Sequence, residues 1–546
     1  MRLILFLLRA SWRAALVGGL VGMGSGIASM GLVALIYCTL SNPGAASLRV
    51  VGLFAALCVM VLLTRVGSQM LLSRLTLTTV SRLRIGLCRR ILESPLAHLE
   101  EIGVDRMLAS LTGDVGLVAQ AMNGVPVLVV NLVVLACGLV YLGWLSLSLA
   151  LGTVVFLVLG VTSYWFSSRR AQLYVWKSRV AQDVLMKRVR GLIEGVKELK
   201  MHRERRREFF DEVIEAQESV RVSQFYGDCL HDAAIAWGRL TFFIAIGLLL
   251  FAWPRIFPVN AATLTGYTLT ILYMMSPLEQ IVGWLPFLTW ASNSVAQIDR
   301  LGLMLNDGPV EETAAAAPME QWREIEIAGL VHSYRREGQP HGFALGPIDM
   351  TLHPGEIVFI IGGNGSGKTT LGKLVTGLYV PEQGEIRVDG EPITAANRES
   401  YRQLFAAVFD NALLFDSLWG IGGADLDERA RRYLRQLELD QVVTVTDGVF
   451  STTQLSRGQR KRLALLTAYL EDRPIYLFDE WAADQDPVFR KVFYLELLPE
   501  LKRQGKTVVA ITHDDRYFAG ADRVIKLEEG KVVEAFRHEI VQPAGL

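Results

Sequence analysis

The chain has 546 residues, 51% of them hydrophobic and 20% charged, and its 55 basic side chains are matched by 55 acidic ones. A formal net charge of zero argues against nucleic acid as the main partner, although local arginine runs invite that reading. The apolar residues crowd into the part before residue ~300, which excludes one uniformly soluble domain and sets a membrane-type half ahead of a different material.

In that first half, apolar runs are long enough to cross a hydrocarbon core of ~30 Å. Six spans are expected, roughly 14–40, 50–72, 124–143, 147–167, 233–253 and 262–289. Arg2, Arg9 and Arg13 precede the first. Arg74, Arg82, Arg84, Arg89, Arg90 and Arg106 fall between the second and third, and Arg169, Arg170, Lys177, Arg179, Lys187 and Arg188 follow the fourth. The other connections hold little beyond Arg49 and Arg255, so the positive-inside rule places both termini and the two long loops in the cytoplasm. The apolar run between Met1 and Arg9 is too short for a cleaved signal, and the run after Arg13 has the length of a retained span. Cysteines 38, 58, 88, 137 and 229 form no close Cys-x-x-Cys pair, so they read as packing residues and not as a metal or disulfide framework.

The connections near 74–120 and 170–232 are too long for turns and carry helical apolar spacing, as in Leu192, Ile193, Val196 and Leu199. Further on, Arg239 and Glu279 fall inside the fifth and sixth spans. Each costs about 2.5–3.5 kcal/mol at a helix centre unless it faces protein or water, so the two are expected either to pair structurally or to line a substrate cavity. Asn306–Pro318, with Gly308, Pro309 and an alanine run, reads as a linker. The boundaries are then 1–300 for the membrane domain, 301–324 for the linker and 325–546 for a second domain.

That second domain carries the chemistry. Glu356–Ile361 reads as a buried strand running into Gly362-Gly363-Asn364-Gly365-Ser366-Gly367-Lys368-Thr369, followed by a helix that includes Thr370. Glycines let backbone N–H groups converge on phosphate oxygens, and the helix N-terminus adds partial positive charge. Lys368 suits the β/γ-phosphates, and the Thr369 hydroxyl suits Mg2+. Downstream, Ile475–Phe478 is an apolar strand delivering Asp479, a magnesium-ordering carboxylate, and Glu480, which can polarise an attacking water. Thr507–Thr512 is another strand and delivers His513. Upstream, Tyr334 stands where a ring could stack on adenine.

With Leu455-Ser456-Arg457-Gly458-Gln459 these blocks make residues 325–540 resemble an ATP-binding-cassette (ABC) nucleotide-binding domain. Phe478-Asp479-Glu480-Trp481-Ala482-Ala483-Asp484-Gln485-Asp486-Pro487 and Ile511-Thr512-His513-Asp514-Asp515 resemble a narrower group, the bacterial cyclic-peptide and siderophore-peptide exporters. The resemblance implies an α-helical six-span membrane domain of the type-IV ABC exporter fold followed by an α/β P-loop ATPase domain. It implies ATP and Mg2+ as cofactors, with Glu480 and His513 catalytic. It also implies that Ser456, Arg457, Gly458, Gln459 and Asp486 meet nucleotide in a homodimer.

Loop tips near Leu96–Asp105 and His202–Asp211 are expected to dock on the ATPases. Two positions depart from the usual pattern: Arg457 replaces a small residue in the signature block, and Asp410 replaces a glutamine that touches magnesium, a role a carboxylate can fill. The implied function is export of a cyclic or siderophore-type peptide across a bacterial inner membrane into the periplasm, with any periplasmic or outer-membrane partner left open. A lipid or multidrug exporter, and a membrane-anchored ABC ATPase without cargo, are the alternatives.

Overall fold

The computed structural model describes residues 2–41, 47–256, 259–300, 322–334 and 343–537. It divides into two compact units, Met1–Leu87 with Leu108–Leu301 and Cys88–Met107 with Gly302–Leu546. The expected linker lies outside the described residues up to 321.

The first unit is helical. The six expected spans fall on the long helices Arg2–Ser41, Leu48–Glu93, Val115–Leu145, Leu147–Glu194, Arg203–Gly247 and Ala261–Arg300, the fifth running on through a wide turn at Leu248–Ala252 to Ile256. Among the described residues, five helices are long and apolar enough to cross a membrane. The Ala261–Arg300 helix has the length but interrupts its apolar residues with Thr, Tyr, Ser and two prolines, Pro277 and Pro286. The second and fourth helices, of 46 and 48 residues, reach about 70 Å at 1.5 Å per residue, so the long connections are helical extensions of the spans.

Small residues let these helices approach closely. A Cβ added at Gly124 would fall 2.3 Å from the Trp284 ring, and one at Gly26 would fall 2.7 Å from a Val133 methyl. The cysteines are free, and Cys38, Cys58, Cys88 and Cys229 are exposed on this chain. Among the described residues, Cys137 packs against the apolar cluster of Met30, Val33 and Val134, whereas the other four, also expected to pack, are exposed on this chain.

The second unit is built on three sheets. Its strands are β1 (Ile325–Tyr334), β2 (Phe343–Leu352), β3 (Ile357–Gly362), β4 (Gln383–Val388), β5 (Glu391–Pro392), β6 (Phe405–Val408), β7 (Val445–Thr446), β8 (Val449–Phe450), β9 (Ile475–Asp479), β10 (Thr507–Ile511), β11 (Arg523–Glu528) and β12 (Lys531–Arg537). The main sheet runs β12-β11-β3-β10-β9-β6, beside a sheet ordered β2-β1-β4-β5 and the β7-β8 hairpin. β9 and β10 are buried at every position, as parallel strands covered on both faces require. Ile511 pairs with Ile360 and with Asp479, so the C-terminal ends of β3, β10 and β9 emerge side by side, where ligands collect in open α/β sheets.

The helix Leu96–Ile102 belongs to this unit. Leu96 and Ala97 pack against its core, and Glu100 accepts hydrogen bonds from Lys373 Nζ at 2.8 Å and from the Tyr379 hydroxyl. The first expected docking tip is thus seated on the ATPase. Around the second, Met201 is 80% and Phe210 54% exposed.

Candidate functional site

β3 delivers the glycine loop at the sheet's C-terminal edge. Gly362 has φ 154°, and a Cβ there would lie 2.2 Å from Leu527 O, so the position admits only glycine. Gly367, at φ 99°, turns the chain into the helix Lys368–Val375. Lys368 is buried, and its Nζ donates to Gly362 O and Gly363 O at 3.0 Å each. Burial pushes its pKa down, against the pull of Glu480, 3.9 Å away, and of Asp479. Thr369 faces solvent, whereas Thr370, expected at the nucleotide, is turned into the fold.

Asp479, the last residue of β9, is 1% exposed, and neither carboxylate oxygen has a hydrogen-bond partner among the described residues. Burial is the main reason its pKa rises to about 6; the neighbouring Thr369 hydroxyl works the other way, and Glu480 and Asp410 add to the rise. The Ser366 hydroxyl is likewise buried and unpartnered. Buried polar atoms without partners are rare in folded proteins and call for a ligand or ion. A divalent cation shared by Thr369 and Asp479, with phosphate oxygens against the glycine loop and Lys368, fits this donor set.

Glu480 and His513 come together as expected, His513 Nε2 lying 3.1 Å from Glu480 Oε1. The pair sits at the ends of adjacent strands, where the carboxylate can accept a proton from water beside the phosphates. Tyr334 closes β1, but its side chain lies outside the described residues.

The signature block begins the helix Arg457–Glu471. Ser456 caps it in a reciprocal box: Gln459 N donates to Ser456 Oγ at 3.4 Å, and Ser456 N donates to Gln459 Oε1 at 3.1 Å. A Cβ on Gly458 would meet Asp484 O at 2.9 Å. Arg457 is exposed and reaches Asp484 at 3.5 Å. Asp486, expected at nucleotide, caps the helix Pro487–Val492 through the amides of Val488 and Phe489 and takes Arg462 at 2.7 Å. The Phe489 amide is the first cause of its lowered pKa.

Asp410, expected as a magnesium ligand, has its Oδ1 accepting from Lys461 Nζ at 2.7 Å. Lys461, a residue the sequence reading missed, also contacts Asp484 at 2.8 Å. Burial pushes the Asp484 carboxyl up, but Lys461 and Arg457 outweigh it and hold the group below its ordinary range. The signal that could have found Lys461 is Asp410 itself, a carboxylate in place of an amide, which calls for a nearby cation.

In the membrane unit, Arg239 and Glu279 form a two-pronged pair at 2.8 and 3.2 Å. Both line a cavity of ≈500 Å³ whose other walls include Phe156, Tyr164, Phe242 and Trp253. The expected pairing is thus present, and the paired residues border this cavity.

Residues 16–253 match the ABC transporter transmembrane region and residues 345–483 the ABC transporter family. The chain is 38% identical to the ATP-binding protein SyrD of Pseudomonas syringae pv. syringae, over 94% of its own length and 93% of that protein. It is 27% identical to the ATP-dependent lipid A-core flippase of Alkalilimnicola ehrlichii, over 84% of the chain and 79% of the flippase. Among solved structures, a bacterial Atm1-family ABC exporter with ATP bound has the same fold, with a TM-score of 0.74 at 17% identity, covering 97% of this chain and 95% of that one.

Proposed function

The chain belongs to the ABC transporter family as a multi-pass exporter coupled to ATP hydrolysis, and from that premise we propose that it moves a peptide-type secondary metabolite, cyclic or siderophore-like, from cytoplasm to periplasm. The observation that carries the cargo class is the likeness to SyrD along nearly the whole chain. Two copies form the working unit, because a phosphate loop and a signature block in one chain supply complementary halves of two ATP sites. The ATPase domains and both termini face the cytoplasm of a bacterial inner membrane, following the arginine distribution.

Each residue has a stated task. The glycine loop and Lys368 bind the phosphates, while Thr369 and Asp479 would hold magnesium, which would supply charge neutralisation for phosphoryl transfer. Glu480 takes the proton of the attacking water, and His513 orients it. Closure over ATP biases the membrane cavity outward, and hydrolysis resets it. In that cavity the Arg239–Glu279 pair offers both charges to a zwitterionic or hydrogen-bonding cargo.

Lipid or multidrug export is the second reading, favoured by the apolar cavity walls and the flippase likeness. Metabolite profiles of a deletion strain, inside against outside the cell, separate the two. Retention of a peptide inside supports the proposal, and an unchanged peptide profile with altered lipids or drug resistance supports the rival.

A further inference from the structure

Lys461 is 3% exposed on the signature helix, an unusual place for a cation. An ammonium has three donors and no acceptor, and each donor here has an oxygen: Asp410 Oδ1 at 2.7 Å, Asp484 Oδ2 at 2.8 Å and the backbone carbonyl of Glu480 at 2.8 Å. The acceptors come from three segments: the loop after β6, the turn Trp481–Asp484, and the residue that follows β9. Lys461's own carbonyl accepts from Trp481 Nε1 at 2.7 Å, and Trp481 is fully buried, stacked on Phe493 with ring centres 4.3 Å apart.

Glu480 itself stands at φ 49°, in the left-handed region that non-glycine residues occupy at a cost. Its amide donates to Ile511 O at 3.0 Å, and its carbonyl accepts from Lys461, so its backbone is gripped on both sides. We infer that Lys461 is a positioning residue of the hydrolytic centre, locking the Asp410 loop and the Asp484 turn to the carbonyl of Glu480 and so fixing the carboxylate that acts on water. Of this cluster only Lys461 is buried, with Asp410 50% and Asp484 23% exposed, and taking an ammonium out of water to meet partly solvated carboxylates is a poor source of net stability. The site also gathers Asp410, Asp479, Glu480 and Asp484 in one region, and Lys461 meets two of them, Asp410 and Asp484. Arg457 reaches the other Asp484 oxygen, so the network runs from the signature block to the base within one chain. The inference concerns hydrolysis and does not depend on the cargo.

The test uses the purified full-length protein and introduces Lys461→Gln into two backgrounds, wild type and Asp410→Asn with Asp484→Asn. Turnover is expressed per ATP-binding site, so that misfolded protein does not count. In the wild-type background kcat should fall about 10- to 100-fold, the scale of a misplaced catalytic group, while KM for ATP stays within about threefold. In the neutral background the same substitution should cost less than about threefold, because the carboxylates it abandons are gone. Lys461→Arg should retain part of the activity. Wild-type kcat in Lys461→Gln, an equal fold loss on both backgrounds, or a loss carried by KM or by the number of binding sites overturns the inference.

Discussion

In the ATPase unit, β9 and β10 are buried at every position, and three of the buried polar atoms left without partners among the described residues, both Asp479 oxygens and the Ser366 hydroxyl, lie at the nucleotide loop. In the membrane unit the arrangement is reversed: Leu48 and Trp144 are 90% and 80% exposed, while Ser25, Thr270 and Asn131 are buried, Asn131 donating to Gln280 at 3.0 Å. Water drives apolar groups inward in the first, and lipid removes that drive in the second, leaving helix contacts to small and polar residues. The cassette's site therefore follows from a few residues close in sequence. The cavity follows from how whole helices lean on each other.

The sharpest way to break this contrast is at the base. Glu480→Gln should lower hydrolysis about 10²- to 10⁴-fold with ATP binding kept, because it removes the proton acceptor and preserves shape. Near-normal turnover would transfer the role to another residue, His513 first. Next in size is Lys368→Ala, which deletes a charged donor to phosphate worth about 1.5–3 kcal/mol, so ATP affinity should drop about 10- to 100-fold in equilibrium binding. Equal affinity in both proteins contradicts the phosphate role.

Asp479→Asn sharpens the cassette side through pH. Burial raises Asp479 from 3.8 to about 6, so the fold favours the protonated form. The corresponding stability is present below pH ~4 and is lost as pH rises to ~6. In nucleotide-free protein at pH 7.5 the asparagine variant should be more stable by about 1–3 kcal/mol, and the gap should close toward pH 4 in thermal melts. A pH-independent difference would mean that the buried charge is compensated in some other way. The smallest effect is expected on the membrane side. Glu279→Gln should shift the cargo concentration that half-stimulates ATP hydrolysis by about two- to fivefold, the scale of one partly exposed ion pair. An unchanged stimulation curve removes the pair from the transport path.

Much of the cassette was legible because its blocks are local. Gly362–Thr369 spans one loop, and the Asp479-Glu480 pair and His513 each close a strand whose apolar run is plain in the sequence. Lys461 was signalled only indirectly, by the carboxylate at Asp410, since the two lie 51 residues apart and the fold brings them together. Asp486 and Thr370 show a second limit: their motif positions point to the nucleotide, but the sequence does not reveal that Asp486 also caps a helix and that the Thr370 side chain is buried. In the membrane half, span existence and the meeting of Arg239 with Glu279 could be read from depth along the helices, whereas the exposure of four cysteines expected to pack could not, because an apolar run does not say which of its faces is covered.

The most direct test of the central claim is transport in inside-out vesicles carrying the wild-type protein or Glu480→Gln, supplied with ATP, Mg2+ and the producing strain's own peptide fraction. ATP-dependent accumulation of a peptide in wild-type vesicles, absent from the Glu480→Gln vesicles, is the predicted result. Accumulation that is equal in the two, or that never depends on ATP, would contradict it.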